Sequence, residues 1–274
     1  MIERGSNGLT VHDEQRKRFR TMHERGCFVM PNAWDAGSAR LLQNLGFGAI
    51  ASSSAGLAWT LGRADYDLTC DTVVNHLVSL CAASSIPVNA DFEDGFAREP
   101  ESMVKNVLRA LDAGVAGLSI EDRNRAGFFE PAFATERIKA ARVAVDQAAP
   151  AAILVARTEL LLSDPSAVTP AIDRLVAFAE AGADCLFAPG VRAAADIAAM
   201  VRAVAPKPLN VLISKPGLTF AELEGLGVRR ISVGGALARV GWAAVLAAAE
   251  GLREGSFDVL AGALPHERMN GLFT

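Results

Sequence analysis

The sequence predicts one α/β domain, residues 1–274, built as a closed (β/α)8 barrel of the TIM type with an extra helix at its carboxyl-terminal end. Three observations carry this prediction. Apolar strand-like runs recur near residues 27–31, 48–52, 87–91, 116–121, 152–157, 183–188, 208–213 and 229–233, each preceded by an amphipathic helical stretch. Both faces of a barrel strand are covered, so such strands read as continuous apolar runs rather than alternating ones. Several helical stretches end in a glycine that turns into the next run, at Leu45-Gly46-Phe47, Ala113-Gly114-Val115, Ala181-Gly182-Ala183 and Leu226-Gly227-Val228. Finally, Pro31-Asn-Ala-Trp-Asp35 follows the first strand where a doubly wound open sheet would carry Gly-x-Gly-x-x-Gly.

Taken in order, residues 12–25 are polar and helix-compatible and lead into the first strand, Cys27-Phe-Val-Met-Pro31. Two strand-to-strand intervals are long, one over residues 52–65 and one from Glu121 to Pro131. Both follow strands, at the end where barrel enzymes place their chemistry, and the second reads as a mobile lid. After the eighth strand, Ala236 to Gly251 is alanine-rich and apolar on most sides. A helix of that kind requires burial, here against a neighbouring subunit, so an oligomer is expected. The barrel core spans about residues 20–255, and 255–274 reads as a short tail.

Composition narrows the function. A hydrophobic content of 51% supports a large core, and a formal charge of −4 without long runs of one sign leaves no footprint for nucleic acid or an anionic membrane. Met1 to Thr10 lacks a basic start followed by an apolar stretch, and no run reaches the roughly 18 to 20 apolar residues of a membrane span. Small-molecule chemistry in the cytoplasm is the expectation. Cys27, Cys70, Cys81 and Cys185 are scattered, with neither a disulfide framework nor a zinc-ribbon spacing. No histidine falls at a strand end, which disfavours an all-histidine zinc site.

The strongest chemical signal is Pro87-Val-Asn-Ala-Asp-Phe-Glu-Asp-Gly95. Residues two apart on a strand share a face, so Asp91 and Glu93 are expected together at the barrel mouth, with Asp94 turned away in a structural role. Two adjacent carboxylates repel unless a cation or proton lies between them. The other strand ends contribute Ser53 and Ser54 after the second, Glu121 at the fourth, Arg157 at the fifth and Asn210 within the seventh. Three carboxylates without histidine or cysteine form an all-oxygen environment suited to magnesium or manganese. Arg157 offers a bidentate fork for a substrate carboxylate. Each residue also has a structural reading: caps for Asp91, Glu93 and Glu121, a counter-ion for Arg157, turn or backbone partners for Ser53, Ser54 and Asn210. Ser232-Val-Gly-Gly235 as a phosphate cradle and Lys215 as a Schiff-base lysine are weaker alternatives, the first equally explained by close helix packing and the second by a solvated turn.

Over residues 20–255 the ordered set resembles the isocitrate lyase/phosphoenolpyruvate mutase superfamily. Pro31-Asn-Ala-Trp-Asp-Ala-Gly-Ser-Ala-Arg40, Ser53-Ser54 with Gly62-Arg-Ala-Asp65, Asn89-Ala-Asp-Phe-Glu93, Ser119-Ile-Glu-Asp122 and Ala156-Arg-Thr158 carry the resemblance. It implies a barrel whose extra carboxyl-terminal helix is swapped between subunits of a homodimer or homotetramer. It also implies a magnesium ion held, largely through waters, by Asp65, Asp91, Glu93 and Glu121 and chelated by an α-oxo acid or its enolate. Ser53, Ser54 and the Ala55 amide then grip the oxo-acid carboxylate with Arg157 beside it, and Asp65, Arg157 and Glu121 are the expected catalytic residues.

The lid departs from the family pattern. Arg123-Asn-Arg-Ala-Gly-Phe-Phe129 stands where the lyases carry Lys-Lys/Arg-Cys-Gly-His, so the cysteine acid–base group is missing. Arg123, Asn124 and Arg125 are at best substrate contacts, and the mutase lid is not reproduced either. The expected activity is therefore a magnesium-dependent lyase or decarboxylase acting on a small α-oxo or 2-hydroxy di- or tricarboxylate through a pyruvate-type enolate. Phosphonate P–C chemistry is the second expectation, favoured by Arg123 and Arg125, and a non-catalytic oxo-acid-binding protein is the third.

Overall fold

In the computed structural model, residues 11–273 are described; Met1 to Thr10, on which the leader argument rested, and Thr274 lie outside the described residues. Eight barrel strands are present: β1 (Phe28–Met30, resuming as Asn32–Ala33), β2 (Ile50–Ser52), β3 (Val88–Asp91), β4 (Gly117–Glu121), β5 (Ile153–Arg157), β6 (Cys185–Phe187), β7 (Leu209–Leu212) and β8 (Arg230–Ser232). Each lies within its expected run, except that β1 resumes beyond residue 31 as Asn32–Ala33. The helices are α1 (Val11–Met22), α2 (Ala36–Asn44), α3 (Ser54–Thr60), α4 (Cys70–Ala83), α5 (Pro100–Asp112) and α6 (Pro131–Ala148). They continue as α7 (Leu160–Ser163), α8 (Val168–Glu180), α9 (Ala194–Val204), α10 (Phe220–Gly225), α11 (Ala236–Arg253) and α12 (His266–Gly271).

All barrel strands run parallel, and the two halves of β1 close the sheet: Phe28–Met30 pairs with β8 and Asn32–Ala33 pairs with β2. Pro31 marks the switch. It has no N–H to give either neighbour, while its carbonyl accepts from the Ala51 amide. Stepping from Phe28 through Arg230, Asn210, Phe187, Arg157 and Glu121, and on by the same registers, returns to the first strand eight residues further along. That stagger is the shear of this barrel class.

Local chemistry explains the helix boundaries. Asp35 and Ser38 form a capping box at α2, Thr219 and Glu222 another at α10, and Pro100 and Pro131 open α5 and α6 where the missing N–H costs nothing. Gly114 and Gly182 both sit at φ 101° between a helix and the next strand; a Cβ at Gly182 would stand 2.7 Å from Arg142 Cγ. The outward faces of the strands, including Ala90, Leu118, Ile120, Leu154 and Ala156, pack under the helices, while Met30, Ala51, Val155, Cys185 and Phe187 fill the barrel interior. Phe19 of α1 joins that interior cluster, so α1 floors the amino-terminal end of the barrel.

Two segments follow the barrel. Ala236 to Gly251 is helical but not buried within the chain: of α11 only Ala238 is enclosed, and Val240, Val245 and Leu246 are exposed at 68%, 58% and 60%. After it, a 3-10 turn at Asp258–Gly262 and α12 return the chain to α2, where Asn44 Nδ2 donates to the Leu272 carbonyl at 2.6 Å. Among the described residues no helix is long and apolar enough to cross a membrane.

The floor is held by Asp184, which accepts from Arg20 Nη1 at 3.0 Å, Arg142 Nη1 at 2.6 Å and the Leu154 amide at 2.9 Å. Burial alone raises its pKa, but these donors outweigh burial and hold it below the usual 3.8. A depressed folded pKa gives stability that is complete above the unfolded value and lost as pH falls through the folded one. Asp184→Ala, which strands two arginines, is expected to cost about 3 kcal/mol in urea unfolding at pH 7, with the deficit shrinking as the pH falls below 4.

Candidate active site

At the carboxyl-terminal mouth, β2 ends in Ser52, whose Oγ accepts from the Asp91 amide at 2.8 Å and locks the end of β3 against it. Ser53 caps α3 by accepting from the Gly56 amide at 3.1 Å. Ser54 turns toward β3, where its amide and hydroxyl both donate to Asp91 Oδ2 at 3.0 Å. The other oxygen of Asp91 receives Arg157 Nη1, also at 3.0 Å.

Arg157 is the centre of the arrangement. Besides Asp91 it faces Glu121 Oε2 at 3.5 Å and donates through Nε to Glu159, while its guanidinium lies 5.4 Å from the centre of the Phe187 ring. Burial lowers an arginine's pKa, but Glu159, Glu121 and Asp91 together raise it, so the cation is secure. One guanidinium cannot neutralise all the carboxyls here. Glu121, 3% exposed, has its pKa raised by burial despite Arg157, and the Tyr66 hydroxyl donates to it. Glu93 is pushed up to about 8, first by burial and then by Asp91, Asp65 and Asp94. Asp65 stands at the open rim, raised by burial and by Asp91.

Asp91, Glu121 and Arg157 thus stand in contact, while Glu93, Glu121 and Arg123 lie outside the lining of the cavity that Ser53, Ser54, Ala55, Asp65 and Asn210 share with Asp91 and Arg157. Strand alternation does not place Glu93 beside Asp91, because β3 stops at Asp91 and the chain turns, with Glu93 at φ 45°. Asp94 takes the structural role, its Oδ1 accepting from the Phe96 amide at 2.9 Å. Asn210 lies deeper than the mouth, donating to Ser232 Oγ at 2.9 Å. Arg123 belongs to a small hairpin, Arg123–Asn124 against Gly127–Phe128, and its guanidinium stacks 5.7 Å from the Tyr66 ring and 5.4 Å from Phe128. Arg125 pairs with Asp67 at 3.0 Å, which ties this hairpin to the segment after Asp65. Ser53, Ser54, Ala55, Asp65, Asp91 and Arg157 line the upper part of a cavity of about 150 Å3 that continues into the barrel.

Sequence reasoning missed Ser52, Tyr66, Glu159 and Arg230. Glu159 had a signal, since it follows Arg157 by two residues at a strand end, and Arg230 had another, a charge inside an apolar run. Tyr66 is the only tyrosine of the chain but shows its role only through contact with Glu121. The Ser232–Gly235 turn cannot cradle a phosphate with its amides, because those of Val233 and Gly234 donate to Asn32 Oδ1 at 3.1 and 2.8 Å.

One observation at this mouth fits a divalent cation. Glu93 Oε1 and Glu121 Oε1 are buried oxygens without a hydrogen-bond partner, and oxygen donors of this kind suit hard cations. Among the described residues no three acidic, histidine or cysteine side chains converge closely enough to wrap a cation directly, so waters would complete its coordination.

Comparison with known proteins identifies the family. The family model described as phosphoenolpyruvate phosphomutase matches residues 19–253. An oxaloacetate decarboxylase of Pseudomonas paraeruginosa is 32% identical over 254 residues, covering 89% of this chain and 86% of that protein. A crystal structure from Burkholderia cenocepacia J2315, described as a lyase/mutase of unproven activity, shares 40% identity at a TM-score of 0.92 and covers 96% of this chain and 97% of that one. An oxaloacetate acetylhydrolase solved with its product oxalate shares 26% identity at a TM-score of 0.84, covering 95% and 94%.

Because the folded pKa of Glu93 is about 8 against an ordinary 4.5, the folded state holds that proton more tightly than the unfolded chain. Its contribution to stability is complete below the lower value and lost as pH rises toward the higher. Without metal, the protein is expected to lose stability between these two values, with a shallower slope in Glu93→Gln. At pH 8, Mg2+ at one hundred times its Kd should restore about 2.7 kcal/mol. Thermal unfolding in EDTA and in Mg2+ checks both; a flat profile with no response to the ion would remove the case for a cation site.

Proposed function

The chain belongs to the phosphoenolpyruvate mutase/isocitrate lyase superfamily, and on that premise we propose that it is a magnesium-dependent lyase or decarboxylase acting on a small α-oxo or 2-hydroxy di- or tricarboxylate. The observation that carries this reading is the charge imbalance at the mouth: Asp65, Asp91, Glu93, Glu121 and Glu159 surround the single guanidinium of Arg157, and two of their oxygens lack partners. The oxaloacetate decarboxylase and oxaloacetate acetylhydrolase among the relatives support the oxo-acid class.

In this reading Asp65, Asp91, Glu93 and Glu121 hold Mg2+, with Mn2+ an acceptable substitute for an all-oxygen donor set. The bound ion supplies a Lewis acid that polarises the oxo group and stabilises a pyruvate-type enolate. The chain does the rest. Ser53, Ser54 and the Ala55 amide grip the oxo-acid carboxylate at the start of α3, Ser54 turning to it from Asp91 Oδ2, to which its amide and hydroxyl otherwise donate. Arg157, already held by its carboxylates, needs no reorganisation to stabilise charge that develops beside it. Asp65, Arg157 and Glu121 are the catalytic residues, and Glu121 shares a proton with Tyr66.

The hairpin at residues 123–128 has no cysteine or lysine to serve as acid or base. Decarboxylation suits such a site, because loss of CO2 requires no proton removal and only later delivers a proton to the enolate carbon. Phosphonate chemistry rested on Arg123 and Arg125, and both are engaged, with the rings of Tyr66 and Phe128 and with Asp67. The exposed apolar residues of α11 support packing of that helix against a second copy in a homodimer or homotetramer. Four free cysteines agree with the cytoplasmic location.

Incubation of the purified protein with Mg2+ and oxaloacetate, malate-type and phosphono-oxo acids tests the activity. Turnover of an oxo or hydroxy dicarboxylate is expected, abolished by EDTA and by Asp91→Ala, and lowered at least 100-fold in kcat by Arg157→Met. No turnover together with no metal-dependent binding of oxalate or pyruvate would sink the reading; binding without turnover would favour the non-catalytic alternative.

A further inference from the structure

Arg137 and Arg230 are the largest fully buried side chains of the described residues, and they differ in how their charge is met. Arg137 donates to the backbone carbonyls of Asp94, Ala97 and Arg98, with Asp94 and Glu99 nearby to favour its charge. Arg230 has no such partners. Its Nε donates to Asn210 Oδ1 at 2.9 Å, and Nη1 lies 3.4 Å from both Asn89 Oδ1 and His23 Nε2. His23 stays neutral, its pKa lowered to about 3 by burial and then by Arg230, and its Nδ1 donates to the Phe19 carbonyl at 2.8 Å, which turns the lone pair of Nε2 to the guanidinium. Among the described residues no carboxylate forms an ion pair with Arg230. A buried cation without a countercharge is costly to the fold by several kcal/mol, which neutral acceptors only partly offset.

Arg230 lines the same cavity as Ser53, Asp91 and Arg157. Arg230 pairs with Asn210, Asn210 with Phe187, and Phe187 with Arg157, so three strand steps separate the two arginines. At about 4.8 Å per step and a tilt near 36°, the backbone of Arg230 lies roughly 8 Å closer to the barrel floor. A four-carbon diacid spans part of that depth, and the guanidinium stays level with Asn210, Asn89 and His23 to meet it from below. Asn89, Ser119, Asn210 and Ser232 line the deep end; Asn89 and Ser119 donate to the Ala90 carbonyl and Asn210 to Ser232 Oγ, which leaves the Ser232 hydroxyl and the second amide hydrogens of the asparagines for an anion.

We propose that Arg230 is an anion subsite at the floor of the cavity, which takes the substrate carboxylate remote from the oxo group and makes the enzyme select dicarboxylates over monocarboxylates. The inference rests on the reading of the mouth as the oxo-acid grip. It explains why a charge stands inside an otherwise apolar strand: the missing countercharge arrives with the substrate.

Calorimetric titration of the full chain in Mg2+ with lactate and malate, which differ by the remote carboxylate, tests the subsite. The wild type is expected to bind malate at least tenfold more tightly than lactate. Arg230→Gln should remove that preference while leaving lactate and pyruvate affinity within twofold, and Arg230→Lys should recover part of it. Equal affinity of the wild type for the two acids, or an undiminished malate preference in Arg230→Gln, overturns the proposal. Should Arg230→Gln not fold, Arg230→Lys decides: malate affinity altered at constant lactate affinity supports the subsite, and no change overturns it. If lactate and pyruvate show no metal-dependent binding, the reading of the mouth fails by itself. Succinate binding to the metal-free wild type then decides the Arg230 subsite, supporting it if present and overturning it if absent.

Discussion

Arg157 is surrounded by carboxylates that it cannot all neutralise, and the organisation of the barrel mouth follows from that shortage. Its three polar arms are divided among Asp91, Glu121 and Glu159, each from a different point on the chain. Because the guanidinium stays charged, it anchors the network; because it is alone, the outer oxygens of Glu93 and Glu121 remain without partners in a buried setting. Such a site is held together by protons when no cation is present and by the cation when one is. The same carboxylates hold Arg157 in place from three sides.

Barrel geometry makes this clustering possible. Glu121 and Arg157 are direct partners on β4 and β5, and the register of β3 carries Glu93 onto the same line. A stagger of eight residues around eight strands means that this line climbs as it circles, so side chains from β5 meet the loop after β3 at the rim while Arg230 of β8 falls below. Opposite charges are thus sorted by height: carboxylates with one arginine at the mouth, an arginine without carboxylates at the floor. A dianionic acid bridged between a cation above and Arg230 below would complement both levels.

The hairpin after β4 closes one side of the mouth by a different means. Arg123 stacks on Tyr66 and Phe128, and Arg125 reaches Asp67, so the hairpin and the segment after α3 brace each other. Tyr66 connects this brace to the chemistry, since its hydroxyl donates to Glu121. In this chain the arginines of the hairpin serve as ties.

The strands, the glycine hinges and the chemical character of the mouth were legible in the residues themselves. Continuous apolar runs ending in Asp91, Glu121 and Arg157 suffice for a parallel barrel with an acidic rim, because covered strands are mainly apolar on both faces and the carboxylates gather where the strands end. What the sequence could not determine depended on distance between segments remote in the chain. That Tyr66 meets Glu121, that Glu159 completes the shell of Arg157, and that Arg230 lacks a countercharge are facts of shear and closure. The exposure of α11 belongs there too, since its alanine-rich face reads as buried and the barrel alone does not bury it. Local pattern sets which residues reach a strand end; only the tertiary arrangement decides which charges find partners and which are left for a cation or a substrate to satisfy.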